Sequence, residues 1–175
     1  MLVLVVFRAL GASLTFLGLL SAFCLAAGCS SDPGSQPDAG PPSIEIGTGS
    51  RDFEPLVEGA TIPVITGPQG GFHLLGSLQA QNLNPGDSED LQASSNPTTQ
   101  FEIFANGVRV DAEASTYTQG LQRGDDRLEM LGRFIILDIP NATILDGMSL
   151  QFVVTVRDVD GVVVSDERNL VAQSQ

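Results

Sequence analysis

Residues 101–110, Phe-Glu-Ile-Phe-Ala-Asn-Gly-Val-Arg-Val, decide the fold class of this 175-residue chain. Phe, Ile and Val favour strands, and they stand on both sides of Asn106-Gly107. A two-residue turn between strands requires positive φ angles, which Asn and Gly adopt most readily. The stretch therefore predicts a β-hairpin with a tight turn, and a β fold is the first expectation for the surrounding chain.

Alternating apolar residues extend the β pattern over most of the chain. Residues 72–81 carry an apolar row at one parity and a mostly polar row, with His73, at the other. This alternation is typical of a strand with one buried face. A later strand has an inward row of four apolar residues: Leu150, Phe152, Val154 and Val156.

One predicted strand is less regular. Leu131, Ile135 and Leu137 share a parity, and Arg133 interrupts their row. A charged residue in an apolar row predicts partial exposure of the strand or a β-bulge at that point.

About seven such runs, separated by turn signals, lie within residues 44–175. Their spacing predicts an all-β domain, an antiparallel β-sandwich of about seven strands. The closing pattern is a strand over residues 150–158, an Asp160-Gly161 turn and a final strand, and it resembles bacterial immunoglobulin-like domains. The resemblance covers about residues 44–172 and implies an immunoglobulin-like sandwich. The Cys…Trp…Cys signature of antibody domains is absent, since the sequence has no Trp and both of its Cys precede residue 44.

The first 28 residues have the layout of a secretory signal peptide. Arg8 is the only charged residue before an apolar run over residues 9–27, which ends in small side chains. The alternative is an uncleaved transmembrane helix, because the run is about long enough to span a bilayer. No basic cluster follows the run, which favours cleavage.

Residues 25–29, Leu-Ala-Ala-Gly-Cys, resemble the lipobox of bacterial lipoproteins, with Ala26 where the lipobox usually carries Leu. The resemblance implies cleavage after Gly28 and lipidation of Cys29. In Gram-negative lipoproteins, Asp after the cysteine commonly signals retention in the inner membrane. Because Ser30 stands there, the resemblance implies an outer-membrane lipoprotein, anchored on the periplasmic face or at the cell surface.

Residues 29–43 would join the lipid anchor to the β domain over residues 44–175. After Cys29 they contain four prolines and no large apolar side chain. Such a segment cannot bury enough surface to offset the entropy of ordering. We expect a disordered Pro/Ser/Gly tether that holds the domain up to about 40 Å from the bilayer.

The chain is strongly acidic, with 21 Asp and Glu, eight Lys and Arg, and a net charge of −13. Nucleic-acid binding needs a basic surface, so that class of function is excluded. Electrostatic attachment to anionic lipid is excluded for the same reason, so the anchor at Cys29 is the expected membrane contact. Cys29 is also the only cysteine after the cleavage site, which leaves no disulfide within the mature chain.

No catalytic constellation or cofactor motif stands out in the mature sequence. His73 is the only histidine, and its setting indicates the entry to a strand rather than a catalytic triad. Residues 67–71, Gly-Pro-Gln-Gly-Gly, lack the Gly-Lys-Ser/Thr ending of a phosphate loop and are typical of a turn. We therefore expect no enzymatic activity and no cofactor.

Acidic residues cluster around the last predicted turn. Asp158 and Asp160 precede the final strand, and Asp166 lies on it. Calcium binds several carboxylate oxygens, so convergence of these three side chains would form a weak calcium site. The alternative is a solvated Asp-Gly hairpin on an acidic protein.

Together these features indicate a lipid-anchored cell-envelope protein with a non-catalytic binding or structural role. Its expected partner is an envelope protein or a glycan. The alternative is an accessory subunit or a hydrolytic enzyme of an envelope complex. An exposed apolar patch would favour the binding role, whereas a cleft with a perturbed carboxylate beside an arginine would favour the enzyme.

Overall fold

The computed structural model describes residues 40–113 and 115–175. Cys29, the expected signal peptide over residues 1–28 and the expected tether as far as residue 39 lie outside the described residues.

Short runs of alternating and β-branched residues form strands throughout the described part of the chain. The strands are β1 Ser43–Thr48, β2 Glu54–Pro55, β3 Thr61–Thr66, β4 Phe72–Gln81, β5 Thr98–Ala105, β6 Val108–Arg109, β7 Thr116–Thr118, β8 Gln122–Arg123, β9 Leu128–Leu137, β10 Ser149–Arg157 and β11 Val163–Ser174. The described residues contain no α-helix and a single 3₁₀ turn, Ala142–Ile144. The prediction of an all-β fold is confirmed, and the strands of six residues or more are β1, β3, β4, β5, β9, β10 and β11.

The strands pair as two groups that β3 links. In sheet 1 the order is β2-β1-β4-β9-β8, and in sheet 2 β11 pairs with β10, β10 with β5, and β5 with both β6 and β7. Strand β3 is antiparallel to β4 at Ile65 and Thr66 and parallel to β11 over residues 61–64. The prediction of a wholly antiparallel fold is wrong at β3 and β11. These strands come from opposite ends of the domain, so no turn between them fixes their direction.

The two sheets face each other across a common apolar core. Gly76 of β4 leaves room for this packing, because a Cβ atom there would lie 2.7 Å from Ile135, 3.1 Å from Phe101 and 3.2 Å from Phe152. The inward row predicted for β10 is confirmed, since Leu150, Phe152, Val154 and Val156 are all fully buried.

The predicted hairpin at residues 101–110 is confirmed. Phe104 pairs with Arg109 and Ala105 with Val108. Asn106 and Gly107 connect these strands with φ angles of 52° and 75°, which are the positive values that a tight turn of this kind needs.

The predicted irregularity near Arg133 is also confirmed. The register between β4 and β9 shifts between Gly76 and Leu78, and Gly132 has a φ angle of 65°. The bulge changes which parity of β9 points into the core. Leu128 and Met130 are buried before it and Ile135 and Leu137 after it, so the prediction that Leu131 shares their inward row is wrong.

Four strands at the sheet margins are short: β2, β6 and β8 have two residues each and β7 has three. The margin at β11 is longer, because β3 pairs with its residues 171–174 and not with residues 163–170. Among residues 40–113 and 115–175, no helix is long and apolar enough to cross a membrane.

Candidate functional site

The solvent side of sheet 1 carries an exposed apolar surface. Phe134 is 55% exposed and Ile136 is 43% exposed, although they alternate with the buried Ile135 and Leu137. All four are large apolar residues, so the end of β9, residues 134–137, is apolar on both of its faces. A strand of this composition is expected to be covered on both sides, and here one side faces solvent.

Strand pairing places further apolar side chains beside these two. Ile65, His73 and Ile136 form one row across β3, β4 and β9, and Leu75 and Phe134 form the next row. Directly paired residues project from the same side of a sheet. We call these five residues the apolar face. Contiguous exposed apolar surfaces are candidates for interaction sites.

A groove of about 580 Å³ lies at one end of the apolar face. The turn between β3 and β4 forms one wall, and Phe72, His73, Phe134 and Ile136 form the rest. Hydrogen bonds close the turn, from the Gly67 N–H to the Gly71 carbonyl (2.7 Å) and from the Gly70 N–H to the Gly67 carbonyl (3.0 Å). The prediction of a turn at residues 67–71 is confirmed, and the volume of the groove lies within the range of ligand-binding clefts.

His73 stands within this groove. Its imidazole ring meets the Phe134 ring edge-on, with 4.7 Å between the centroids and an angle of 83° between the planes. Burial lowers the pKa of His73 from its ordinary value of 6.5, because the apolar surroundings disfavour the charged ring. The imidazole is therefore neutral at pH 7, when it presents one hydrogen-bond donor and one acceptor.

Hydrogen bonds hold the backbone that carries Phe134. The Tyr117 hydroxyl donates to the Phe134 carbonyl, and the Gly132 N–H donates to Ser77 Oγ at 2.9 Å. The Arg133 guanidinium lies over the Tyr117 ring, 5.7 Å from its centroid. These contacts fix the bulge, so the exposed ring extends from an ordered strand.

The segment after β6 supports the other end of the exposed strand. The Ala112 N–H donates to the Ile136 carbonyl and the Asp138 N–H donates to the Val110 carbonyl, both at 2.8 Å. Asp138 is exposed and follows Phe134 and Ile136 at the same parity, so a carboxylate stands at the end of the apolar face.

The three acidic residues of the calcium hypothesis do not converge. Both oxygens of the buried Asp158 carboxylate accept backbone hydrogen bonds, Oδ2 from Asn84 (3.0 Å) and Oδ1 from Val162 (2.9 Å). Asp160 accepts a hydrogen bond from the Asn84 side chain at 3.0 Å. Asp158 thus joins two loops, and it is not the solvated turn residue of the alternative reading.

Asp166 lies elsewhere on the final strand. It pairs with Val154, four residues before Asp158, which corresponds to about 13 Å along the strand. Its Oδ2 accepts a hydrogen bond from the Ile46 N–H at 3.0 Å, and its Oδ1 accepts one from Arg168. In the part of the chain that the structure describes, no three His, Cys, Asp or Glu side chains form a metal-binding group.

A carboxylate beside an arginine occurs at Asp111, which the sequence analysis did not single out. Its side chain is fully buried, and Arg109 donates to both of its oxygens, with Nη2 2.8 Å from Oδ2. The Ile103 N–H also donates to Oδ1 at 2.7 Å. The hydrogen bonds from Arg109 and Ile103 occupy the carboxylate, so the pair stabilises the hairpin between β5 and β6.

Comparisons of this chain with protein-family models, with curated proteins and with solved structures returned no match.

Proposed function

We propose that this protein is a lipid-anchored, non-catalytic binding module of a bacterial envelope, and that the apolar face is its contact surface. The observation that carries the proposal is the exposure of Phe134 and Ile136 on an ordered strand. Exposing two large apolar side chains to water is unfavourable, at about 25 cal/mol for each Å² of apolar surface. A partner that covers them removes that cost.

The strand order supports an immunoglobulin-like assignment within this proposal. Such domains place strands A, B, E and D in one sheet and C, F and G in the other. Here β1, β4, β9 and β8 take the first set of positions, and β5, β10 and β11 take the second. Sandwiches of this class serve many functions through their surfaces, so the surface and not the fold carries the functional argument.

The position of the groove suits attachment through the N-terminus. Strand β1 begins at Ser43, which pairs with Gln81 at the far end of β4 from His73. The eight residues from His73 to Gln81 span about 26 Å. A tether entering at Ser43 would therefore leave the groove at the opposite end of the domain, accessible to a partner.

A matched pull-down from native envelopes tests the proposal. The wild type is compared with Phe134→Ser and with the control Val163→Ser, which changes a 45% exposed apolar residue on sheet 2. We expect the same partner with the wild type and the control, and its loss with Phe134→Ser. A parallel hydrolase screen that finds turnover, abolished by His73→Ala, would overturn the proposal in favour of an enzyme.

A further inference from the structure

We infer that the apolar face binds an extended peptide segment of the partner, with the pattern apolar-x-apolar-x-basic. The inference rests on the proposed function, because it names the chemistry of the partner at the same surface. Its basis is a pair of exposed apolar residues that line the groove, Phe134 and Ile136, and the exposed Asp138 that follows them at the same parity just after β9.

Spacing favours an extended segment. Phe134, Ile136 and Asp138 stand at alternate positions, so successive members of the series are about 6.6 Å apart. An extended peptide has the same repeat for the side chains on one of its faces. Two apolar side chains at i and i+2 can therefore contact Phe134 and Ile136 in register, and the side chain at i+4 reaches Asp138.

Charge favours a basic residue at position i+4 of the segment. Within residues 40–113 and 115–175, no arginine lies within salt-bridge distance of the Asp138 carboxylate. His73, which pairs with Ile136, is neutral at pH 7 because burial lowers its pKa. The chain as a whole carries a net charge of −13, so its field attracts a cationic segment and repels an anionic one.

The position of Asp138 fixes the direction of the segment. At the other end of the apolar face, Arg133 pairs with Gly76, where a Cβ atom would point at the core residues Phe101 and Phe152, so the Arg133 side chain leaves from the opposite side of β9 and does not face the segment. A basic residue at the Asp138 end meets an opposite charge. The segment should therefore lie with its basic end towards Asp138.

The same charges disfavour two other occupants of the apolar face. An anionic bilayer surface repels a protein of this charge. A second copy of the chain would bring another net charge of −13 to the interface. A basic peptide segment gains from both the apolar contact and the acidic field.

Fluorescence anisotropy with defined peptides tests the inference. The full chain is held in phosphatidylcholine nanodiscs, and empty nanodiscs serve as the blank. The probes are fluorescein-labelled Gly-Leu-Thr-Phe-Thr-Lys-Gly and the same peptide with Glu in place of Lys. We expect the Lys peptide to bind at least about tenfold more tightly than the Glu peptide, and the difference to fall below about threefold in Asp138→Asn.

Further variants separate this inference from the proposed function. Phe134→Ser should weaken binding of the Lys peptide at least about tenfold, and the control Val163→Ser should leave its affinity unchanged. Suppose that Phe134→Ser weakens binding of both peptides and that the wild type binds the two with equal affinity. The proposed binding surface then stands, and the inference of a basic partner is wrong. If Phe134→Ser binds both peptides like the wild type, the inference and the proposed surface both fail.

A photocrosslinker at position 134 identifies what lies on the face. With the Lys peptide present, a crosslink to the peptide supports the inference. A crosslink to lipid or to a second copy of the chain in its place would overturn it.

Discussion

The imidazole ring of His73 meets the ring of Phe134 edge-on, with their centroids 4.7 Å apart. The contact joins β4 and β9 on the solvent side of sheet 1, next to the turn that walls the groove. It gives the only histidine of the chain an apolar environment without burying it in the core. The ionisation of His73 therefore reports on the groove.

The lowered pKa of His73 predicts that stability depends on pH in a defined window. The unfolded chain takes up a proton near pH 6.5, whereas the folded chain does so only at lower pH. The contribution of His73 to stability is present above pH 6.5 and is lost as the pH falls through the folded-state value. Urea unfolding across this window should show stability falling on acidification in the wild type, with a shallower fall in His73→Gln.

Two carboxylates define a separate pH range, more acidic than that of His73, in which stability also falls. This range serves as the internal control. Backbone hydrogen bonds from Asn169 and Ser174 lower the pKa values of Glu58 and Asp146 from 4.5 and 3.8. Their contributions to stability are present above those ordinary values and are lost as the pH falls through the lower, folded-state values. His73→Gln should not change this loss of stability at the lower pH. An unchanged slope below pH 6.5 in His73→Gln would show that the groove does not desolvate the imidazole.

Asp158 should be the acidic residue of the last turn that matters most for stability. Asp158→Ala would leave the backbone N–H groups of Asn84 and Val162 without their acceptor, so we expect it to lower the free energy of unfolding by about 2–3 kcal/mol. Asp160→Ala is the matched control, because it removes one exposed side-chain hydrogen bond and should cost less than about 0.5 kcal/mol. Equal effects in denaturant unfolding would contradict this assignment.

The same geometry predicts the response to calcium. Asp158 uses both carboxylate oxygens within the fold, and Asp166 lies about 13 Å away along the strand. We expect titration calorimetry to detect no binding heat at millimolar calcium and the melting temperature to stay unchanged. A binding heat that Asp160→Asn removes would restore the calcium hypothesis for this turn.

Membrane attachment is a prediction about Cys29. If the lipoprotein resemblance holds, Cys29→Ala should abolish acyl labelling and leave the precursor unprocessed, while Cys24→Ala should change neither. Metabolic labelling with a fatty-acid analogue and intact mass measurement check both variants. Residues 1–28 still attached to the wild-type protein would contradict the anchor.

Local turn chemistry made part of the fold predictable. Asn106-Gly107 fixes its hairpin because few other residue pairs accept φ angles of 52° and 75° at adjacent positions. The parallel pairing of β3 with β11 could not be predicted from the local sequence, since it depends on contacts between distant parts of the chain. The inward row of β9 was only half predictable, because the bulge at Gly132 exchanges the two faces within the strand.

The candidate site was missed for a related reason. The run Phe134-Ile135-Ile136-Leu137 is apolar at both parities, and the sequence prediction assigned only Ile135 and Leu137 to an apolar row. An unbroken apolar run in a two-sheet domain is the signal that would have revealed it, because only one side of the strand can face the core. Asp158 was found from the sequence, but its role in joining two loops depends on Asn84, 74 residues away.

Site-specific photocrosslinking in intact envelopes tests the central claim, that the apolar face is the contact surface, most directly. A benzophenone side chain is placed at position 134 in one variant and at position 163, on the outer side of sheet 2, in the other. We expect one specific crosslinked partner from position 134 and none from position 163. The same partner from both positions, or from position 163 alone, would contradict it.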